Sequence, residues 1–281
     1  MKRILALILA ALMLTVLFAG CQSEPNIDDS DVFSDGGDAT ATSDADYITG
    51  NGKMIIGMTL FAPMNYYDNA TNELIGFETE FAEAVCEKIG IEPEFVEINW
   101  DSKEIELNAK NIDCIWNGMT ITDERKANME ISDPYMQNRQ VMVVKSENLE
   151  KYTEGVIGAS VVAEAGSAGE ELATGDEFFK DAAFTPVDSM AKALMDVAAG
   201  TSDIAIVDYV TSIGSIGAGT DFENLVAVEA REFAPEQYGI AFRKGSDMAT
   251  VVNNTIDELI ADGTLDAIAT KYKLQNLLIK E

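Results

Sequence analysis

The run Asn117-Gly118-Met119-Thr120-Ile121-Thr122-Asp123-Glu124-Arg125 follows an apolar, strand-like stretch and opens a helix with a cation in its first turn. An arginine there works against the helix dipole, and is best served by an anion lying between its guanidinium and the free backbone N–H groups. A carboxylate fits, because guanidinium and carboxylate match as a two-pronged hydrogen-bonded pair. The competing reading is a surface pair of Arg125 with Asp133 or Glu124. Aligning Asp113 with Asp203 sets Gly118 opposite a second chemically interesting residue, Asp208. Each then lies just beyond the carboxyl end of a strand, where open α/β sheets bind ligands. Much chemistry is excluded. The chain has no histidine, which rules out the usual Ser-His-Asp and Cys-His machinery and most zinc sites.

The elements that must position these residues alternate. Lys53–Met58 reads as a strand, and Phe77, Phe81, Val85 and Ile89 form the apolar stripe of a helix stopped by Gly90. Phe95–Ile98 is strand-like, Asp101 with Glu104 resembles a capping box, and Leu107 lies on the helix leading into the strand Ile112–Trp116. The same grammar returns with Ala193-Leu194 on a helix, Gly200 as its stop, and the strand Ile204–Val207 after Asp203. This alternation predicts an α/β fold with a mostly parallel sheet, and two similar lobes facing each other across a cleft satisfy the internal match. Gly214-Ser215-Ile216-Gly217-Ala218-Gly219 lacks the Lys-Ser/Thr of a phosphate loop and is assigned to a surface loop.

The ends and the composition set the compartment. Lys2-Arg3, the apolar stretch Ile4–Phe18 and Ala19-Gly20-Cys21 read as a signal peptide, the apolar part being shorter than the roughly 20 residues that a spanning helix needs. Leu17-Phe18-Ala19-Gly20-Cys21 resembles a lipobox, with Phe18 where leucine is usual. Cys21 would then carry acyl chains, palmitate among them, and anchor an extracytoplasmic lipoprotein. Gln22–Asn51 is rich in Asp, Ser, Thr, Gly and Ala and reads as a flexible acidic tether. Its Asp cluster lacks the ligand spacing of a calcium loop, so no metal site is expected. The formal charge of −30 makes nucleic acid an implausible partner and favours cationic or zwitterionic solutes over polyanions. Cys86 and Cys114 sit in apolar patterns and read as buried free thiols, a disulfide being the alternative.

Several motifs, in this order and spacing, resemble the extracellular solute-binding proteins of family 3, the lipoproteins that serve amino-acid ABC transporters. They are Gly76-Phe77-Glu78-Thr79-Glu80-Phe81-Ala82, Trp100-Asp101, Asp113 through Arg125, Ser132-Asp133-Pro134-Tyr135, Gly166-Ser167, Asp203 to Asp208, and Tyr238 to Gly245. The resemblance covers Lys53 to Glu281. It implies a two-lobed, periplasmic-binding-protein-like (type II) α/β fold with two hinge strands, near Gln140–Val144 and Gln237–Ala241. The implied organisation is a signal peptide at 1–20, an acidic tether at 21–52, a discontinuous first lobe at 53–140 and 237–281, and a second lobe at 141–236.

Carried over by position, Arg125 and Thr120 hold an α-carboxylate, while the Gly118 carbonyl, Thr120 and Asp208 take an α-ammonium. An acid that needs a cation and an arginine that needs an anion together describe a zwitterion. Ser167 begins a helix whose backbone donors could bind the same carboxylate, and Ala168 departs from the family's usual hydroxyl there. Phe61 and Trp100 stand where the family places aromatic walls, core packing being the plain alternative for each. Met58 argues against a strongly basic ligand. Glu164 argues the other way, as a possible acceptor for an amide, guanidinium or distal ammonium, or else is simply exposed. Asn117 is expected to line the pocket as a neutral hydrogen-bonding group.

The expectation is a monomeric binding lipoprotein on the outer face of the membrane. It takes a free polar or neutral amino acid by hinge closure, delivers it to the membrane permease of an importer, and uses no cofactor. The alternatives are a dehydratase for small carboxylates or another enzyme on the same scaffold, with Glu164 as the acid, and a sensor that presents the amino acid to a membrane receptor.

Overall fold

The computed structural model describes residues 42–280. The expected signal peptide at 1–20, Cys21 and most of the expected tether lie outside the described residues. Phe77–Ile89 forms the predicted helix and buries Phe77, Phe81 and Val85. It stops because Gly90 takes the left-handed conformation, φ 85°, and turns its N–H back onto Cys86 and Glu87 carbonyls. Met190–Ala199 repeats the pattern, with Ser189 as N-cap and Gly200 as stop. Burying each large side chain such as Phe77, Phe81 or Leu194 contributes roughly 1.5–3 kcal/mol, which is why these stripes face the core.

Two sheets carry the two lobes. The first runs in the order Glu92–Glu97, Lys53–Met58, Cys114–Ile115, Ala241–Arg243, Met129–Ile131. The second runs Ala183–Val187, Ser160–Glu164, Ile204–Asp208, Met136–Lys145, Leu225–Ala227. In each, three parallel strands in the same order are followed by one antiparallel strand and then a fifth antiparallel to it. The aligned aspartates do one job in both. Asp113 donates its N–H to Ile55 O (2.7 Å) and accepts from Ile55 N (3.0 Å). Asp203 donates to Ser160 O (3.0 Å) and accepts from Ser160 N (2.9 Å). The internal match in sequence is therefore a match in topology and register.

Met136–Lys145 links the lobes. Its C-terminal part lies inside the second sheet, pairing Gln140 with Asp208 and Val143 with Ala205. Its first four residues pair instead with Pro235–Tyr238, Met136 against Tyr238 and Arg139 against Pro235. Gln237 and Tyr238 of the expected second crossing lie in this pair, whereas Gln140–Val143 is bonded into the second sheet and Ala241 into the first, so both crossings fall a few residues earlier than expected. After the second crossing, Met248–Ala261 and Thr264–Lys271 pack back near Phe77–Ile89, returning the C-terminal segment to the first lobe.

Three local expectations are corrected. Asp44–Gly50, assigned to the flexible tether, is a helix capped by Ser43, with Ile48 0% exposed. Asp44 pairs with Arg243 (2.8 Å), and Ala45 N donates to Asp247 (2.8 Å). The acidic composition of the whole segment conceals one short apolar pair, Ala45 and Ile48, that finds a surface to cover. Asp101 does not cap a helix with Glu104. Asn99 accepts from Asp101 N and starts a 3-10 turn, Trp100–Ser102, ahead of the helix Lys103–Asn108. Gly214 and Ser215 end the helix Tyr209–Ser215, leaving only the rest of that glycine-rich stretch as loop.

Cys86 and Cys114 are buried free thiols, and burial pushes Cys86 up to about 12, so it is not a nucleophile at neutral pH. Among the described residues no group of His, Cys, Asp and Glu is arranged to hold a metal, and no helix is long and apolar enough to cross a membrane.

Candidate functional site

Thr122 caps the helix Asp123–Asn128 and accepts from Arg125 N (3.1 Å), which places the arginine in the first turn. The side chain turns inward and is 5% exposed. Nη1 donates to Thr120 O (2.8 Å), and Nη2 to Glu171 Oε1 (2.9 Å) and Gly166 O (3.4 Å). The side chain that pairs with Arg125 is therefore neither Asp133 nor Glu124 but Glu171, from the other lobe. Facing the arginine is the start of the helix Ala168–Gly175, capped by Ser167, which accepts from Glu170 N (3.2 Å). Glu170 reaches back to accept from Gly166 N (2.6 Å), so the turn is held reciprocally. Lys103, absent from the sequence reading, also crosses to Gly166 O (2.9 Å) while donating to Trp100 O (3.2 Å). Burial, with the charge of Arg125 added, pulls Lys103 down to about 8.

The opposite pole is acidic. Asp208 ends the strand Ile204–Asp208 and accepts from Tyr238 Oη (2.7 Å), Asn138 Nδ2 (3.2 Å) and Gln140 Nε2. Glu236 shares the two amide donors, Asn138 (3.1 Å) and Gln140 (3.2 Å), and accepts the Thr120 hydroxyl (2.9 Å). Burial first, and then the neighbouring Glu236, raise Asp208 to about 7. A cation arriving beside it removes that penalty.

Gly118 has φ 53° and donates its N–H to Glu78 Oε1 (2.8 Å). Glu78 is buried and also accepts from Tyr135 and Asn65. A Cβ at position 118 would stand 3.1 Å from the Phe61 ring and 3.2 Å from Tyr238, so the backbone approach here requires glycine.

These groups line a narrow cleft between the lobes. Trp100, Asn117, Gly118, Thr120 and Arg125 line it from the first lobe. Glu164, Ser167, Ala168 and Asp208 line it from the second. Phe61 does not line it. Its ring is buried behind Gly118, so it supports the wall without being the wall. Asn117 lines the cleft, but its amide is largely committed to Thr59. Oδ1 accepts from Thr59 N (3.0 Å) and Oγ1 (2.8 Å), and Nδ2 donates to Thr59 O (2.9 Å). One N–H is left for anything in the cleft. Glu164 is not exposed. It ends the strand Ser160–Glu164 at 2% exposure, and burial, helped by the charge of Asp208, raises it to about 8.

Sequence reasoning missed Gln140, Met190, Ile206 and Val207, which also line the cleft, and Glu171, Lys103 and Glu236, which hold the lining residues. Strand alternation from Asp208 was the available signal for Ile206, since residues two apart share a face. No local signal marks Glu171, an exposed acid on a helix whose other face, Gly169 and Ala173, is buried.

Comparison with known proteins follows the same lines. The L-cystine-binding protein TcyJ of Escherichia coli (strain K12) is 29% identical over 227 residues, 79% of this chain and 82% of its own. Among solved structures, a variant of ArgBP from T. maritima superposes with a TM-score of 0.74 at 28% identity, covering 82% of this chain and 99% of that one. The ancestral amino-acid-binding protein AncCDT-1, a precursor of cyclohexadienyl dehydratase, gives 0.72 at 29% identity, covering 81% and 98%. The family model of bacterial extracellular solute-binding proteins, family 3, matches residues 54–275, the whole span of both sheets and the hinge between them, and this two-lobed chain belongs to that family.

Proposed function

We propose that this chain captures a free polar amino acid outside the cell and delivers it to the permease of an ABC importer. It does so as a monomer held to the membrane by lipid on Cys21. The observation that carries this reading is one cleft lined by a buried guanidinium, Arg125 in the first turn of a helix of one lobe, and a buried carboxylate, Asp208 at a strand end of the other. An α-amino acid brings the two complementary charges on neighbouring atoms. Arg125, the Thr120 and Ala168 N–H groups and the Ser167 turn take its carboxylate. Asp208 and the Gly118 carbonyl take its ammonium, and the Trp100 ring flanks its side chain.

Hinge motion at the paired segments Met136–Arg139 and Pro235–Tyr238 brings the two half-sites together. Arg125 to Glu171 and Lys103 to Gly166 are bonds between lobes, and they exist only when the lobes approach. Micromolar binding corresponds to about −8 kcal/mol. Two charge-assisted contacts at about 1.5–3 kcal/mol each, with burial of the side chain, reach that level after ordering costs.

The experiment is calorimetric titration of the protein, stripped of copurified ligand by unfolding and refolding, with the common amino acids, cystine and ornithine. Saturable binding by a subset is expected. Absence of binding by every amino acid overturns the reading. A second reading, a dehydratase for small carboxylates, is favoured by Glu164, whose raised value keeps it protonated at neutral pH as a general acid must be, and by the likeness to AncCDT-1. Recovery of the bound amino acid with unchanged mass after prolonged incubation removes it.

A further inference from the structure

The cleft contains a second buried acid that the zwitterion does not use. Glu164 lines the same space as Asp208, is 2% exposed, and its Oε1 has no hydrogen-bond partner among the described residues. The other buried carboxylates nearby are satisfied, Asp208 by Tyr238, Asn138 and Gln140, and Glu78 by Gly118, Tyr135 and Asn65. The two local cations are committed elsewhere. Arg125 bonds Thr120, Gly166 and Glu171, and Lys103 bonds the Trp100 and Gly166 carbonyls. A buried acceptor without a partner is costly, so its partner must come from the cleft itself.

We propose that Glu164 forms a distal cation subsite, so that the amino acid this protein selects carries a positively charged nitrogen on its side chain as well as its α-ammonium. The inference rests on the amino-acid reading above and names the class of side chain. With Arg125 and Asp208 matched to the α-carboxylate and α-ammonium, an apolar side chain leaves Glu164 unpaired and a neutral amide gives it a donor without a countercharge. A terminal ammonium or guanidinium supplies both the missing donor and the missing countercharge. Lys103 already lies over the Trp100 ring, 5.0 Å from its centroid, so the attraction for a ligand cation comes from Glu164, and the overall charge of −30 favours its approach. The apolar Met58 does not oppose this, since the acid that reads the side chain stands on the second lobe. Burial and the charge of Asp208 raise Glu164 to about 8 against the opposing charge of Lys103, and no cation among the described residues bonds it directly.

Three ligand pairs that differ mainly in the terminal charge test it by calorimetry on the ligand-stripped protein: ornithine against norvaline, lysine against norleucine, and arginine against citrulline. At least one charged member is expected to bind about 10- to 100-fold tighter than its uncharged partner, the range for a hydrogen bond to a charged group. In Glu164→Gln, which keeps shape and burial, that preference should fall to within about threefold while binding of the uncharged member is retained. Equal binding within every pair by the native protein overturns the subsite and leaves the amino-acid reading standing. So does a preference that survives in a folded Glu164→Gln variant. If the variant does not fold, the native comparison alone decides. Failure of the native protein to bind any of the six overturns the subsite; failure across the wider amino-acid panel overturns the underlying reading as well.

Discussion

Replacing Arg125 with alanine removes a guanidinium that is 5% exposed and makes bonds to both lobes. In the proposed complex it donates to the ligand carboxylate, with charge-assisted bonds worth about 1.5–3 kcal/mol each. Two such bonds are lost. Part of that is offset, because water enters the space and the half-exposed Glu171 regains solvent, a pair worth at most about 1 kcal/mol. The net expectation is about 3 kcal/mol, or roughly 100-fold in affinity. Arg125→Lys keeps the charge without the two-pronged geometry and should fall between native and alanine. The assay is calorimetry run as a double-mutant cycle, native and Arg125→Ala against an amino acid and its carboxamide, with thermal melts to establish that the variant is folded. The carboxamide should bind weakly to the native protein and lose little further in Arg125→Ala, giving a coupling of about 2 kcal/mol. Affinity for the amino acid within about threefold of native, or equal losses for acid and amide, refutes the assignment of Arg125 to the carboxylate.

Two further outcomes follow from buried groups. Burial raises Glu78 to about 7, Asp208 to about 7 and Glu164 to about 8, so the folded state retains protons that the unfolded chain releases above about pH 4. The native state then binds more protons than the unfolded state through this window, and stability falls as pH rises from about 5 to 8. Melting of the ligand-stripped protein should therefore occur at lower temperature at pH 8 than at about pH 5.5, and a flat or rising profile contradicts the burial of these acids. Ile48→Ala should cost about 2–4 kcal/mol in denaturant unfolding, because Ile48 is fully buried in the helix Asp44–Gly50. A loss below about 0.5 kcal/mol would mean that this segment is a free tether after all.

Much of the scaffold is written locally. The stripe Phe77, Phe81, Val85, Ile89, the stops Gly90 and Gly200, and the cap Thr122 act within a turn or two of chain, so period and residue type suffice to place them. The paired aspartates Asp113 and Asp203 reveal the repeat by residue type and position alone, although the strands they tie lie 58 and 43 residues away. The position of Arg125 in a helical first turn was legible too, and with it the demand for an anion.

Which groups answer those demands was not legible. Glu171 meets Arg125 from a position 46 residues away on the other lobe, and Glu236 reaches Thr120 across 116 residues. Phe61 had the right residue type for an aromatic wall, yet its ring is buried against Gly118 while Trp100 lines the cleft. Glu164 read equally well as exposed or buried, because a strand end borders solvent in one lobe alone and lies inside a closed cleft when the other lobe covers it. Helix stops, caps and strand alternation depend on bonds between near neighbours and are carried by the chain's own order. The pairing of charges and the protonation of buried acids depend on how two separately folded surfaces meet, and only the closed arrangement of the lobes determines that.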